Sequence, residues 1–565
     1  MKKILVTEIE NKINFKKNKI IFFDEYLSAF YDYNKLNKKK NSFFFSINFL
    51  QKREIYSKKL LKKIELYRKD LTKSLNKVHN KNFSERYWGV LIDQIIFYIA
   101  NQIIIELPLF KKILKKNKNI YLQKIKFNNF YQDTFDFVGS YEKDNRQSFS
   151  RYIIAKNIGM KKKIENLHNR KFFKNTFNEK VYFKILRFII RNYVKFFRTS
   201  LILDSYLGIK SDIKTFFLSF GRILCVPSYL FFNYKKKIVN KNNNLRKLIF
   251  VRERDLIDKI FNILIKYYMP ASLIENFDEY NFDAKKFNKL PLIGTGTALI
   301  NDDFFKHLSA EILENKKKVI TMQHGGFLDK KKINLNRNLI EKKYATKNFL
   351  WSESPTLKNF FFRSKRLNNY DSIKNNEILI YPTSTTFKYN YKNVPCRKFH
   401  PKLNHNYKFF EYLDENLKTK VKIKPFPDKN ESTLKKIWIK KFKPKKSIFI
   451  NGGNKKLLEY KIVVIDDLST PFYELMYMNI PFIIIDNEIS NLKLSTYKKI
   501  MKLKKIHVLH NDPKIAAIFL NKNFEYLQDW WTKVKLSKIF KDIKRDLMPL
   551  GRNSYSLRYN INVLK

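Results

Sequence analysis

The chain has 565 residues, 44% of them hydrophobic and 16% aromatic; this is more than one core usually supports, so two or more domains are expected. Its two cysteines, Cys225 and Cys396, exclude a cysteine-rich zinc site and a disulfide framework and fit a reducing compartment. The formal net charge of +64, from 115 Lys and Arg against 51 Asp and Glu, admits nucleic acid or an anionic membrane as a partner. The excess is mostly Lys, spread through a chain equally rich in Asn, Ile, Phe and Tyr, which reads as compositional drift rather than a nucleic-acid footprint.

The first residues, MKKILVTEIENKINF, open like a signal peptide but place Glu8 and Glu10 where an apolar run should continue, so they read as a first strand. Lys3 to Thr7 and Lys19 to Phe23 are predicted strands. Between Arg53 and His79, Leu60, Leu61, Ile64, Tyr67, Leu71, Leu75 and Val78 recur at helical spacing. Asn80 to Phe83 break the pattern, and Ser84 is placed to cap a second helix that starts SERYWGVLIDQI. Trp88 to Phe110 is the most apolar long stretch, but Asp93, Gln94, Asn101, Gln102 and Glu106 make it a buried helix rather than a membrane span. Arg86, beside Tyr87 and Trp88 in the first turn, is a candidate anion ligand.

Ile120 to Lys180 reads as loop-rich, with one helix from about Arg146 to Ile158. In Val181 to Arg198, the residues Lys184, Arg187, Arg191, Lys195 and Arg198 predict one basic stripe on an apolar helix. The stripe is either the solvated face of a core helix or a surface for an anionic membrane or a lipid-linked acceptor. Ser200 to Leu207 is a predicted strand and Asn233 to Lys247 a polar loop. PLIGTGTALI, Pro291 to Ile300, is a strand running into a Gly-Thr turn. A helix from Asp302 to Glu314 and the strand in KKVITMQHGG follow, a βαβ length that predicts a parallel sheet. Gly294, Thr295, Gly296 and His324 then share one sheet edge. Val319 to Met322 deliver Gln323 and His324 to a turn where Gly325 and Gly326 let a phosphate or sugar approach the main chain. The alternative there is a tight strand exit with His324 bonded locally.

Further on, Glu377 to Tyr381, Val421 to Lys424, Ser447 to Ile450, Ile462 to Ile465, Pro481 to Ile485 and Ile506 to Leu509 are predicted strands alternating with helices. They predict a second doubly wound sheet, with the domain boundary in Ser352 to Asn375. In VVIDDLSTPFYELMYMNIPFIII a strand ends at Asp466 and Asp467, Thr470 is placed to cap a helix starting at Pro471, and Glu474 lies one turn in. Ser469 and Thr470 at a helix N-terminus suit a nucleotide phosphate, Glu474 suits the two hydroxyls of a ribose, and Lys424 suits a diphosphate. An ordinary capped helix, with Glu474 favouring its positive end, is the alternative.

KIIFFDEYLSAFY, LTKSLNKVHNKNFSERYWGVLI, IGTGTALINDDFFKHLSAEI, TMQHGG, IDDLSTPFYELMYMNIPFII and the late Asp529-Trp530-Trp531 follow one another in that order across most of the chain. As an ordered set they resemble the transferases found in O-antigen and surface-carbohydrate clusters. That family looks like two-domain GT-B glycosyltransferases and is distantly similar to bacterial transferases that use CMP-activated Kdo. The resemblance implies an α/β fold of two doubly wound, Rossmann-like domains facing a cleft. Residues 1–355 would be the acceptor domain, with helical additions, and 356–565 the nucleotide-sugar domain. It also implies no cofactor and no metal, with a CMP-sugar favoured as donor. Departures from the family pattern are FFDEYLS in place of a Leu-Gly-Glu-Trp-Cys type motif, Leu91-Ile92-Asp93-Gln94 in place of Gly-Pro-Trp-Leu, and Phe327-Leu328 in place of an aromatic-glycine pair.

Glycosyl transfer passes through an oxocarbenium-like transition state while negative charge grows on the leaving phosphate. His324, with Gln323, Gly325 and Gly326, is expected at the substrate or leaving group, and Gly294, Thr295 and Arg86 at the substrate. Lys424, Ser469, Thr470 and Glu474 are expected at the nucleotide. Asp302, or alternatively Glu311, is the candidate carboxylate that acts as base or nucleophile. The expected acceptor is a surface polysaccharide or lipid-linked glycan. The expected setting is cytoplasmic, peripheral on the inner face of the membrane, with no nucleic acid as partner. Rival expectations are a CDP-glycerol-type phosphotransferase of cell-surface polymers and a basic RNA-binding or scaffold protein.

Overall fold

The computed structural model describes residues 2–6, 18–22, 43–44, 53–116, 120–123, 130–140, 146–163, 181–205, 209–232, 239–327, 330, 340–349, 375–382, 399–424, 438–439, 442, 448–450, 459–486, 489 and 492–547. Among these residues the strands form three five-stranded sheets, all paired in parallel. The first sheet comprises β1 (Lys2–Val6), β2 (Asn18–Phe22), β3 (Phe43–Phe44), β4 (Ile120–Gln123) and β5 (Lys161–Lys163), in the order β3-β2-β1-β4-β5. The second comprises β6 (Ser200–Leu203), β7 (Ile223–Val226), β8 (Leu292–Thr295), β9 (Lys318–Met322) and β10 (Lys347–Phe349), in the order β10-β9-β8-β6-β7. The third comprises β11 (Asn375–Tyr381), β12 (Val421–Ile423), β13 (Tyr460–Ile465), β14 (Phe482–Ile485) and β15 (Leu509–His510), in the order β12-β11-β13-β14-β15.

Strands buried on both faces, such as the FIII of β14 and the VITM of β9, are what a parallel sheet covered by helices requires. The fold is α/β and doubly wound as expected, but the N-terminal half holds two sheets rather than one. β4 and β5 fall inside the stretch read as loop-rich, and the three lysines of β5 carry no apolar signal. Ser447 to Ile450 contributes an isolated bridge, Ile423 to Phe449, instead of a strand. The last strand starts at Leu509, because Ile506 closes a 3-10 turn. The Ser352 to Asn375 boundary lies outside the described residues except for Asn375, and so do Cys396, Leu328 and the FDEYLSAFY part of the first motif.

The Glu85–Lys116 helix is long and apolar enough to cross a membrane, yet its whole apolar stretch is buried inside the protein. Ser84 Oγ accepts the Tyr87 N–H at 3.0 Å, the cap expected from sequence. The buried charges on this helix are paired: Arg68 Nε donates to Asp93 at 2.7 Å and Arg151 Nε to Glu106 at 2.9 Å.

The Val181–Phe197 helix corrects the basic-stripe reading. Arg187 and Arg191 point into the protein, where Arg187 donates to the Tyr229 carbonyl at 3.1 Å and Arg191 makes a fork to both Asp283 oxygens at 2.7 Å. Only Lys184, Lys195 and Arg198 of that stripe face water.

Candidate active site at the meeting of two sheets

Gln323 leaves β9 with its N–H bonded to the Phe349 carbonyl at 2.8 Å, and its side-chain amide donates to the Gly325 carbonyl at 2.6 Å. The buried Gln323 therefore holds the turn closed. His324, next in line, is partly exposed, with Nδ1 3.8 Å from Oε1 of the buried Glu341. Gly326 donates its N–H to Thr470 Oγ1 at 3.0 Å. A Cβ at residue 326 would lie 2.6 Å from the Ser469 carbonyl carbon, so the approach requires glycine. Phe327 then turns at φ 56° and sinks its ring between Phe472 and Tyr473, at centroid distances of 5.2 and 5.0 Å. That ring is part of the core of the third sheet. The turn leaving the carboxyl end of β9 is thus clamped to the helix that follows the carboxyl end of β13. In doubly wound sheets this is the edge where ligands bind.

Ser469, not Thr470, is the N-cap residue of the Thr470–Met478 helix, but its side chain makes no cap bond, and Pro471 sits in the first turn where a missing N–H is harmless. Thr470 directs its hydroxyl oxygen to Gly326 instead, and the Ser469 hydroxyl is buried with no hydrogen-bond partner among the described residues. Lys424, just beyond β12, is buried with its ammonium 4.6 Å from the centre of the Tyr381 ring. Burial lowers the Lys424 pKa while the Glu474 carboxylate opposes that shift. Burial pushes the Tyr381 phenol up to about 12, with Glu474 adding to the effect. Lys424 and Tyr381 therefore form one buried cluster, close enough to Glu474 to feel its charge. Beside it, Asn406 donates to the buried Asp466 at 3.0 Å where β13 ends, next to the switch point between β11 and β13.

Several expected site residues go elsewhere. Gly294 lies inside the second sheet, where a Cβ would meet Ile320 at 2.6 Å, so it serves packing between strands rather than a ligand. The Thr295 hydroxyl oxygen accepts from Thr297 at 3.1 Å and Ala298 at 2.8 Å, which uses it to start the next short helix. Asp302 caps the Asp303–Glu314 helix by accepting from the Phe305 N–H at 2.8 Å, and it lies on the same carboxyl edge as His324. Glu311 does not: the helix runs back toward the amino end of β9, carrying Glu311 roughly 13 Å away at 1.5 Å per residue. There it accepts from Asn281 at 2.8 Å and Tyr87 at 3.3 Å. Ser84 donates to Glu314, so Arg86 also sits at the amino edge, remote from His324. The Gly326 amide, engaged by Thr470, is likewise not available to a substrate.

Glu341 and Tyr381 carry little signal in the sequence. Tyr381 had one signal, its place as last residue of a strand; Glu341 had none, because its approach to His324 depends on how the chain returns after the turn. Among the described residues no group of three or more His, Cys, Asp and Glu side chains is arranged to hold a metal ion.

Three solved structures of the wall teichoic acid polymerase TagF are similar to this chain. A substituted form soaked with CDPG is 11% identical with a TM-score of 0.31, covering 70% of this chain and 98% of its own. TagF itself is 11% identical at 0.31, covering 68% and 97%. A second substituted form is 10% identical at 0.31, covering 70% and 98%. Likeness this distant carries nothing about chemistry. No curated protein matches the chain. The family model of the LIC12162 family transferases matches residues 2–546, nearly the whole length, and the chain belongs to that transferase family.

Proposed function

We propose that the protein transfers a sugar from a nucleotide-activated donor to a surface polysaccharide or lipid-linked glycan, in the manner of a GT-B glycosyltransferase. The reading is carried by the hydrogen bond from Gly326 to Thr470. It sets the His324 corner against the N-terminus of the Thr470–Met478 helix, with the Ser469 hydroxyl, Lys424 and Glu474 alongside. Helix N-terminus, hydroxyl and ammonium together suit the phosphate of a nucleotide, a CMP-sugar being the favoured donor, held without metal or other cofactor. Glu474 takes the ribose hydroxyls. His324, with Glu341 as its charge partner, faces the phosphate oxygen as the sugar–oxygen bond breaks and the electron pair leaves with the nucleotide. Asp302 remains the candidate carboxylate, as base for the acceptor hydroxyl or as nucleophile. The acceptor side and the cytoplasmic setting belong to the same reading.

The test is a thermal-shift panel of CMP, UDP, GDP and CDP-glycerol followed by a transfer assay. A nucleotide at 100 times its dissociation constant stabilises the fold by about 2.7 kcal/mol. His324→Ala is expected to abolish transfer with the melting temperature nearly unchanged; full activity in that variant removes His324 from its role. Stabilisation by CDP-glycerol alone would favour phosphotransfer. Steeply salt-dependent RNA binding with no nucleotide effect would end the transferase mechanism drawn here.

A further inference from the structure

Two neighbouring helices present their apolar sides to water. On Val181–Phe197, Ile185, Phe188, Ile189 and Phe196 are exposed, Phe188 at 70% and Phe196 at 81%. On and just after Ile209–Leu218, Phe217 is 70% exposed and Phe220 93%. Tyr193 ties the helices together, its ring 5.8 Å from that of Phe216 and its hydroxyl donating to the Gly221 carbonyl at 3.1 Å. Surface helices ordinarily turn their apolar stripe inward. Here two arginines are inside and the phenyl rings outside, so the exposed face is not a by-product of a helix with nothing polar to show. Fields of exposed apolar side chains of this kind mark interaction sites.

The charges around this face select the partner. Lys184, Lys195, Arg198, Lys214 and Arg222 are all exposed around it. The one carboxylate on either helix, Asp212, is turned toward Ser205, which donates to it. A second copy would bring a second cationic rim against the first, whereas an anionic surface would neutralise it. We propose that this face docks the protein on an anionic lipid bilayer, with the rings of Phe188, Phe196, Phe217 and Phe220 at headgroup depth and the lysines and arginines on the lipid phosphates. The face lies on the surface and does not span: the exposed apolar side chains occupy one side of each helix, while the other side of Val181–Phe197 packs into the protein, with Ile190 and Val194 buried and Arg191 on Asp283. Docking here is independent of the donor site, so its failure leaves the transferase reading standing.

Vesicle flotation of the full chain tests it, with phosphatidylcholine vesicles and with vesicles of equal parts phosphatidylcholine and phosphatidylglycerol. The protein is expected to float with the anionic vesicles and not with the neutral ones. Phe188→Ser combined with Phe217→Ser is expected to lower the bound fraction at least tenfold without shifting the melting temperature, and Lys184→Glu with Lys214→Glu to lower it too. Phe282→Ser, which removes another exposed ring of the protein, is expected to leave flotation as it was. Any of four results would overturn the proposal: no flotation with anionic vesicles; a Phe188/Phe217 double variant that floats like the parent; equal loss with Phe282→Ser; or a dimer broken by the double variant with no lipid binding.

Discussion

The corner at Gln323 to Phe327 and the helix Val181–Phe197 dispose of their aromatic side chains in opposite ways. At the corner, Phe327 from the second sheet is sunk completely in the core of the third, and the neighbouring amide of Gly326 is paired across the joint. On the helix the rings stay in water and the guanidinium of Arg191 is drawn inward, over the Phe287 ring at 4.8 Å and onto Asp283. An apolar side chain covered by its own protein builds a joint; one left uncovered beside a cationic rim points to a partner. The difference assigns the corner to an internal joint between two sheets, beside the proposed site, and the helix face to an external surface.

The largest effect that separates these regions is expected from removing one ring in each. Phe327→Ala should cost about 3–5 kcal/mol of stability through lost burial and the cavity left between the domains. Phe188→Ala should stay within about 0.5 kcal/mol, because its ring is mostly in water already. Urea denaturation of both variants would show it, and equal losses would break the comparison. Next comes Gly326→Ala, whose Cβ meets the Ser469 carbonyl carbon. The forced shift is expected to cost about 1–3 kcal/mol and to cut transfer sharply, since the corner must leave the helix N-terminus. Thr470→Val leaves the Gly326 N–H buried and unpaired, at about 1–3 kcal/mol, and Thr470→Ser should restore most of that.

A further contrast concerns the helix side and is read through pH. Burial pushes the Asp212 carboxyl from its ordinary 3.8 up to about 6, against the bonds it accepts from Ser205 and Cys225. The folded protein therefore holds this proton more tightly than the unfolded chain, and stability falls as pH rises from about 4 to about 6. Asp212→Asn should match the parent near pH 4 and exceed it above pH 6, as melting temperatures across that range would reveal. A variant with the parent's pH slope would mean that Asp212 is not buried as described.

What the sequence showed and what it hid follow the same division. The strand before the Gln-His-Gly-Gly turn, the Ser84 cap and the third sheet were legible because periodicity and caps are local. The Val181–Phe197 orientation was not. Apolar residues occur nearly all round that helix, and the inward face is chosen by Asp283 and the Tyr229 carbonyl, which are distant in sequence. Asp302 and Glu311 looked alike as acids on one helix, and helix direction alone put Glu311 at the wrong edge. Gly326 and Gly294 looked alike as glycines near a ligand, yet one lets two domains touch and the other lets two strands pack.

The most direct measurement is a double-mutant cycle between His324 and Lys424 in nucleotide binding by calorimetry, with the nucleotide chosen by the panel. If one pocket spans the two carboxyl edges, His324→Ala and Lys424→Ala each weaken binding and their losses fail to add by at least about 0.5 kcal/mol. Strictly additive losses, or a His324→Ala variant that binds nucleotide like the parent, would contradict a site shared by the two sheets.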